Sequence, residues 1–434
     1  MAEGAIEEGD STHEIPITKK RKINEDSDDS DSDSASELSD DSYGYTSDEE
    51  EEDDTETEYE ITEPEKLPES ISKLPNEVFY SILCKLPLKT LLNCRVVSKS
   101  WYTAFKNPNF IKLHRKKVMQ AKSFSLIYHD TSHPKEFSLI DHEDLEAFDT
   151  EIVSYKLKLP RPLVMVGIMD SCNGLVCSRG GQPYFVCNPV TGEHMVIPKP
   201  PLYDVKDVVT GFGYDTVSEV FKFIRVIKVR ENAENCATIA QLYNFSTGEW
   251  RLIPEVPYAF DKDEKSNVCV NGALHWLGYT VDKSGYYHTI IISFRFDSEE
   301  FKQVPMPIAH MIGPHLVVLR ECLCIVREFR QEMIKVWIMK DYGLQSSWVE
   351  EYNIKEIKLG FLHPCTKGEL QRGPYKPLQL MENGKLLMFC ANDLGYYDPR
   401  DGTLDIIYAG TGDDVDFVMQ PLVHIGSFIT PNSI

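Results

Sequence analysis

From Asn24 to Glu60 the chain runs through Asp, Glu and Ser with hardly a large aliphatic side chain, so it cannot repay the entropy of ordering its backbone and is expected to be disordered. The pattern changes at Ile71. Residues 71 to about 118 read as helix, turn, helix, turn, helix. Pro75 suits a first helical turn, and Val78, Phe79, Ile82, Leu83 and Leu86 then recur at helical spacing until Pro87 stops the run. A second apolar cluster follows in Leu88, Leu91, Leu92, Cys94, Val96 and Val97, after which Ser98 is placed to cap a short helix carrying Trp101 and Phe105.

Beyond about residue 120 the period becomes that of strands. Short apolar or alternating runs such as GLVCS, FKFIRVIKV, TIIISFRF, IKVWIM and KLLMFC are separated by Gly, Pro, Asn and Asp; only 351 to 382 gives no clear strand. A hairpin recurs in YFVCNPVTGEHMVIP, AQLYNFSTGEWRLIP, IISFRFDSEEFKQVP and LGYYDPRDGTLDIIY, with Gly192 and Gly248 able to take the positive φ of a tight turn. Repetition at roughly 50 residues with about four strands per period fits propeller blades, about six in the available length, with a large β-sandwich as the alternative. The expected organisation is an acidic tail over 1–68, a helical module over 71–118 and an all-β domain, most simply a β-propeller, over 120–425.

Charge sharpens this division. The 434-residue chain has a formal net charge of −24, yet residues 1–70 hold 27 acidic and 5 basic residues, so nearly all the excess sits in the tail. The remainder is close to neutral and offers no overall basic footprint for nucleic acid. Eleven cysteines, no apolar leader and no apolar run of the ~18 to 20 residues that span a bilayer point to a soluble protein of a reducing compartment. The Asn244-Phe245-Ser246 sequon then carries no glycosylation meaning. Lys19, Lys20, Arg21 and Lys22 read as a nuclear import signal or as a solvated charge run, which gives nucleus and cytoplasm as the expected location. Ser27, Ser30 and Ser47, followed by acidic residues, suit an acidophilic kinase; the other reading of the tail is a solubilising one.

Catalytic constellations with specific spacing are not found. There is no Cys-x-x-Cys pair, and Cys172, Cys177, Cys322 and Cys324 lie in strand-like runs where buried thiols are ordinary. Gly211-Phe212-Gly213 and Gly410-Thr411-Gly412 lack the rest of a phosphate-binding fingerprint, and His275 in ALHW reads as a core or rim residue. No metal or other cofactor is expected. The strongest signal is the helical module, whose apolar side chains exceed what so small a unit can enclose, so it either packs on the β-domain or binds another protein.

Ser72 to His114 resembles an F-box: Leu74-Pro75, Glu77, Ile82-Leu83, Leu86-Pro87, Leu91, Arg95, Val97-Ser98-Lys99, Trp101, Phe110 and His114 fall in that family's pattern. SCNGLVC, NPVTGE, GFGYD, STGEWRLI, VCVNGALHWLG, IISFRF and VWIMKDYG resemble, in order, the F-box-associated, kelch-like β-propeller of large plant F-box families. Three positions depart from it. Gly180-Gly181 is the only adjacent glycine pair, Glu321 stands where a glycine is expected, and Arg295 where an aspartate is usual.

The resemblance implies a non-catalytic substrate receptor of a Skp-cullin-F-box ubiquitin ligase. The helices would bind a Skp-type adaptor, and through it a cullin, by Leu74, Pro75, Val78, Ile82, Leu83, Leu86, Pro87, Leu91, Val96 and Trp101, with Phe79 holding the unit together. The propeller would hold an unidentified protein substrate for ubiquitination and proteasomal degradation. Two other classes stay open at this point: a nuclear scaffold binding basic proteins through the acidic tail, and a propeller enzyme.

Overall fold

The computed structural model describes residues 74–431 apart from 87, 96, 122–123, 130–135, 142–154, 159–167, 179–182, 203–206, 231–235, 254–255, 261–267, 282, 309–310, 312, 330–332, 356–357, 360–375, 391–392 and 409–420. The acidic stretch, Lys19–Lys22, the candidate phosphoserines, Pro87, Val96, Gly180-Gly181 and Gly410–Gly412 lie outside the described residues.

The described residues hold four helices before the first strand: α1 (Asn76–Leu83), α2 (Leu88–Arg95), α3 (Lys99–Phe105) and α4 (Pro108–Ala121). Pro75 stands at the cap of α1, one position earlier than expected from sequence, and its carbonyl accepts from the amides of Val78 and Phe79, each at 3.0 Å. Ser98 caps α3 as expected, its Oγ accepting from the Trp101 amide at 3.3 Å. The fourth helix extends beyond the helix-turn-helix-turn-helix reading. Its local signal is Asn107-Pro108: the Asn107 Oδ1 accepts from the Asn109 amide at 2.9 Å, and Pro108 opens the helix where its missing N–H costs nothing.

The strands that follow form six antiparallel blades. Blade one takes Ser125–His129, Glu136–Asp141 and Tyr155–Lys158, and its innermost strand is Leu422–His424 from the far end of the chain, with Ser125 opposite His424. Blade two is Ile168–Cys172, Leu175–Ser178, Phe185–Cys187 and His194–Val196; blade three is Asp207–Asp215, Val220–Arg230, Cys236–Asn244 and Glu249–Ile253. Blade four is built on Val268–Val270, Ala273–Val281, Tyr287–Arg295 and Glu300–Val304, with Ala259–Phe260 along the edge of the second of these. Blade five is Pro314–Leu319, Cys322–Phe329, Met333–Met339 and Trp348–Lys355; blade six is Lys376–Leu380, Leu386–Cys390, Asp393–Asp398 and Thr403–Tyr408, with Lys358–Leu359 beside the last. The inner strands of successive blades lie side by side, Asp207–Asp215 of blade three meeting Ala273–Val281 of blade four, and Leu422–His424 closes the ring between blades six and two. The region 351 to 382, which gave no clear strand, holds the innermost strand of blade six, where Pro377 and a β-bulge disguise the alternation.

Apolar side chains fill each seam between blades. Ile224, Val226, Trp276, Ile292, Phe294 and Phe296 join three to four, while Leu126, Ile140, Leu387 and Phe389 join six to one. The recurring hairpin has one geometry. Gly192, Gly248, Glu299 and Gly402 all have positive φ, and the amide of each donates to a carbonyl four residues earlier, that of Asn188, Asn244, Arg295 or Asp398, always at 2.9 Å. In three of these turns the Asn or Asp side chain also accepts an amide two residues on. Arg295 cannot accept, and instead its guanidinium grips Asp297 in the same turn, at 2.9 and 2.6 Å.

Candidate functional site

Two features of the propeller decide where chemistry or recognition can reside. In blades two to six the first-to-second and third-to-fourth strand turns are short, two to eight residues, and lie at one end of the sheets. The second-to-third turns and the connections between blades emerge at the other end, where 159–167, 254–267, 356–375 and 409–421 leave and re-enter. The four helices sit at the short-turn end, where Arg115 of α4 stacks over the Tyr214 ring at 4.5 Å, the Arg95 guanidinium donates to the Val190 carbonyl at 3.3 Å, and Lys106 faces Glu193 at 3.8 Å. The longest connections fall at the opposite, long-connection end, and long connections on a rigid scaffold are the usual seat of recognition. Among the described residues there, Val281, Tyr286, Tyr287 and Ile308 are exposed.

The first outcome anticipated for the helical module, packing on the β-domain, is realised by part of its side chains. Tyr80, Leu83, Leu91, Phe105 and Phe110 form a buried core together with Val190 of blade two and Phe428 from beyond the closing strand. Leu83 is 1% exposed and Leu91 0%, which corrects their assignment to the adaptor-facing surface: the propeller supplies the second wall that a unit this small lacks, and these two leucines face inward. Leu86 is partly buried against the same core, and Trp101 is partly buried with its ring edge-on to Phe79 at 5.1 Å, so Phe79 does tie α1 to α3.

What remains outside is narrower than the sequence suggested. Pro75 is exposed and Leu74 half-buried, while Val78 and Ile82 are 46% and 47% exposed on one face of α1, four residues and one helical turn apart. Val97 and Tyr102 add exposed apolar surface on the neighbouring turn and α3, a pair the sequence reading did not select. Lys106 and Arg95 flank the Tyr102 ring, at 4.6 and 5.7 Å. Residues 74–121 carry nine Lys or Arg against one acidic residue, Glu77. Apolar side chains rimmed by cations make a surface for a protein that is apolar at its centre and acidic around it.

No reactive group stands out. Among the described residues no three His, Cys, Asp or Glu side chains are grouped to hold a metal ion. Burial raises the thiol pKa of Cys177 and Cys187 and pushes those of Cys269 and Cys324 up to about 12, which keeps them protonated and poor nucleophiles. His275 is a core residue: its Nε2 lies 2.7 Å from the Tyr342 Oη, and desolvation pushes its pKa down to about 4. Lys222, buried in blade three, spends its three donors on Asp215 (3.0 Å), Glu299 (2.9 Å) and the Phe296 carbonyl (2.7 Å), a tie to blade four. No described helix is long and apolar enough to cross a membrane.

Residues 71–113 match the F-box domain family, and residues 121–365 match the F-box associated beta propeller domain family. The chain is similar to several proteins of Arabidopsis thaliana. F-box protein At3g07870 is 24% identical over 376 residues, 78% of this chain and 88% of that protein. F-box/LRR-repeat protein At2g43260 is 27% identical over 350 residues, 75% of this chain and 76% of that protein. F-box protein CPR1 is 26% identical over 353 residues, 74% of this chain and 82% of that protein.

Proposed function

The chain belongs to the F-box proteins that carry an F-box associated β-propeller domain, and on that premise we propose that it is the substrate-recognition subunit of a Skp-cullin-F-box ubiquitin ligase. The helical module docks a Skp-type adaptor, which brings the cullin and the ubiquitin-loaded enzyme. The long-connection end of the propeller, away from the helices, holds the protein to be modified. This chain needs no reactive group of its own, since holding a substrate lysine beside a thioester carried elsewhere raises its effective concentration. Lys19–Lys22 serve as an import signal, so the receptor works in nucleus and cytoplasm.

The observation that carries the reading is the division of α1. Tyr80 and Leu83 are buried by the propeller, yet Val78 and Ile82 on the other side of the same helix stay exposed beside Val97 and Tyr102. Half-exposed apolar side chains on a helix whose other face is already packed are surface for a partner to bury. The test is adaptor capture by the full chain and by Val78→Asp, Ile82→Asp. Losing two apolar contacts of about 1–2 kcal/mol each lowers adaptor affinity at least tenfold, while the melting temperature holds because both side chains already face water. Equal capture by the variant and the native chain would sink the assignment.

A further inference from the structure

The last residues of the chain do two things at once. Leu422–His424 closes the propeller, and four residues later Phe428, 3% exposed, enters the core of the helical module. Its ring stacks on Phe105 with centroids 5.0 Å apart, lies 5.6 Å from Phe110 and stands edge-on to His114 at 5.0 Å. The backbone on either side is pinned to blade two, not to the helices. Asn188 Nδ2 donates to the Ser427 carbonyl at 2.9 Å and to the Ile429 carbonyl at 2.7 Å, and Ser427 Oγ donates to the Asn173 carbonyl at 2.9 Å. Two glycines let the chain through: a Cβ on Gly174 would lie 1.9 Å from the Ser427 Oγ, and one on Gly426 would lie 2.5 Å from a methyl of Leu88.

We propose that residues 425–431 are a latch that fixes the orientation of the helical module on the propeller, with Phe428 as the positioning residue. The other polar ties across this junction, Arg95 to Val190, the exposed Lys106 to Glu193 and Arg115 over the Tyr214 ring, are single contacts of small net strength. Val190 of blade two also borders the helical core, but Phe428 brings the large ring that meets Phe105, Phe110 and His114 there. If the ligase assignment above is right, the latch also sets the span between the adaptor face and the substrate face, and so selects which lysines come within reach of the ubiquitin thioester.

The experiment uses the full chain, native and with Phe428→Ala, in three measurements. In hydrogen exchange, peptides covering 99–114 are expected to exchange at least tenfold faster in the variant, while blades four and five keep native protection. In small-angle scattering the variant shows a larger maximum dimension. In the complex assembled with adaptor, cullin and ubiquitin-loading enzyme, adaptor affinity stays within about threefold, but self-modification spreads from a small set of lysines to more. Native exchange and dimensions in Phe428→Ala overturn the latch. Should that variant lose blade protection as well, Phe428→Leu, which keeps apolar volume without the stacked ring, decides: selective loosening of 99–114 supports the latch, and no loosening or another global loss overturns it. Failure of the native chain to capture adaptor would refute the ligase reading and leave the exchange and scattering results to judge the latch by themselves.

Discussion

Lowering the pH from about 7.5 to about 5 perturbs three buried imidazoles together. His114, His275 and His424 are 3%, 0% and 0% exposed, and desolvation pushes each from 6.5 down to about 4. The folded chain therefore keeps them neutral where the unfolded chain protonates them. The unfolded state binds more protons, so stability falls with pH, beginning near 6.5 and ending near 4. At about pH 5 each ring accounts for roughly 1.5 pKa units, about 2 kcal/mol, and three independent rings for about 6 kcal/mol, a large part of an ordinary domain's roughly 5–15 kcal/mol. Asp215, Asp398 and Asp297, the last pushed down to about 2, also have depressed values, but their contribution is present above 3.8 and is lost only below it. The window between 4 and 6.5 thus belongs to the histidines. Urea unfolding followed by tryptophan fluorescence at several pH values measures the loss. His114→Phe supplies the internal control, because the His114 Nδ1 has no hydrogen-bond partner among the described residues and the ring already packs on Phe110 and Phe428. That variant should be at least as stable near neutrality and about 2 kcal/mol less acid-sensitive. A total loss below about 2 kcal/mol between the two pH values, or an unaltered slope in His114→Phe, would refute the reasoning.

Gly174→Ala combines a φ of +86° with a Cβ thrust into Ser427, and is expected to cost about 1–3 kcal/mol, a drop of several degrees by calorimetry; an unchanged melt would show that the terminal segment is not held where it is drawn. Glu321 sits at φ +59° after Arg320 at +51°, so Glu321→Gly should stabilise blade five by about 0.5–1 kcal/mol in chemical denaturation, and a loss of stability would contradict the strain argument.

The elements with local causes were legible in the sequence. Ser98 announces α3 by its own side chain, and the Asn or Asp opening the recurrent turns makes the bonds that define them. Glu321 was visible as a departure, and the turn it occupies has the positive φ that made a glycine the expected residue. The division of the apolar positions in the helices was not legible. Ile82 and Leu83 are adjacent and equally apolar, and which one faces outward is decided by Phe428 and Val190, far away in the chain. Nothing in Gly426-Ser427-Phe428-Ile429 distinguishes a ring bound for a distant helical core from one in a local strand. Asn107-Pro108 was readable but was not separated from the helix before it.

The placement of Phe428 sets an order of events during synthesis. At a translation rate of roughly 5–20 residues per second, Phe110 leaves the ribosome about 320 residues, or roughly 15 to 60 seconds, before the ring that will stack against it. Through that interval the helical core lacks its Phe428 wall, and Leu83, Leu91 and Phe105 are covered only by the other helices and, once blade two is made, by Val190. If the proposed function holds, the adaptor itself is one cover available to the helices in that interval. Loss of the chain from Gly426 onward would leave the closing strand in place and the helical core permanently without its Phe428 wall.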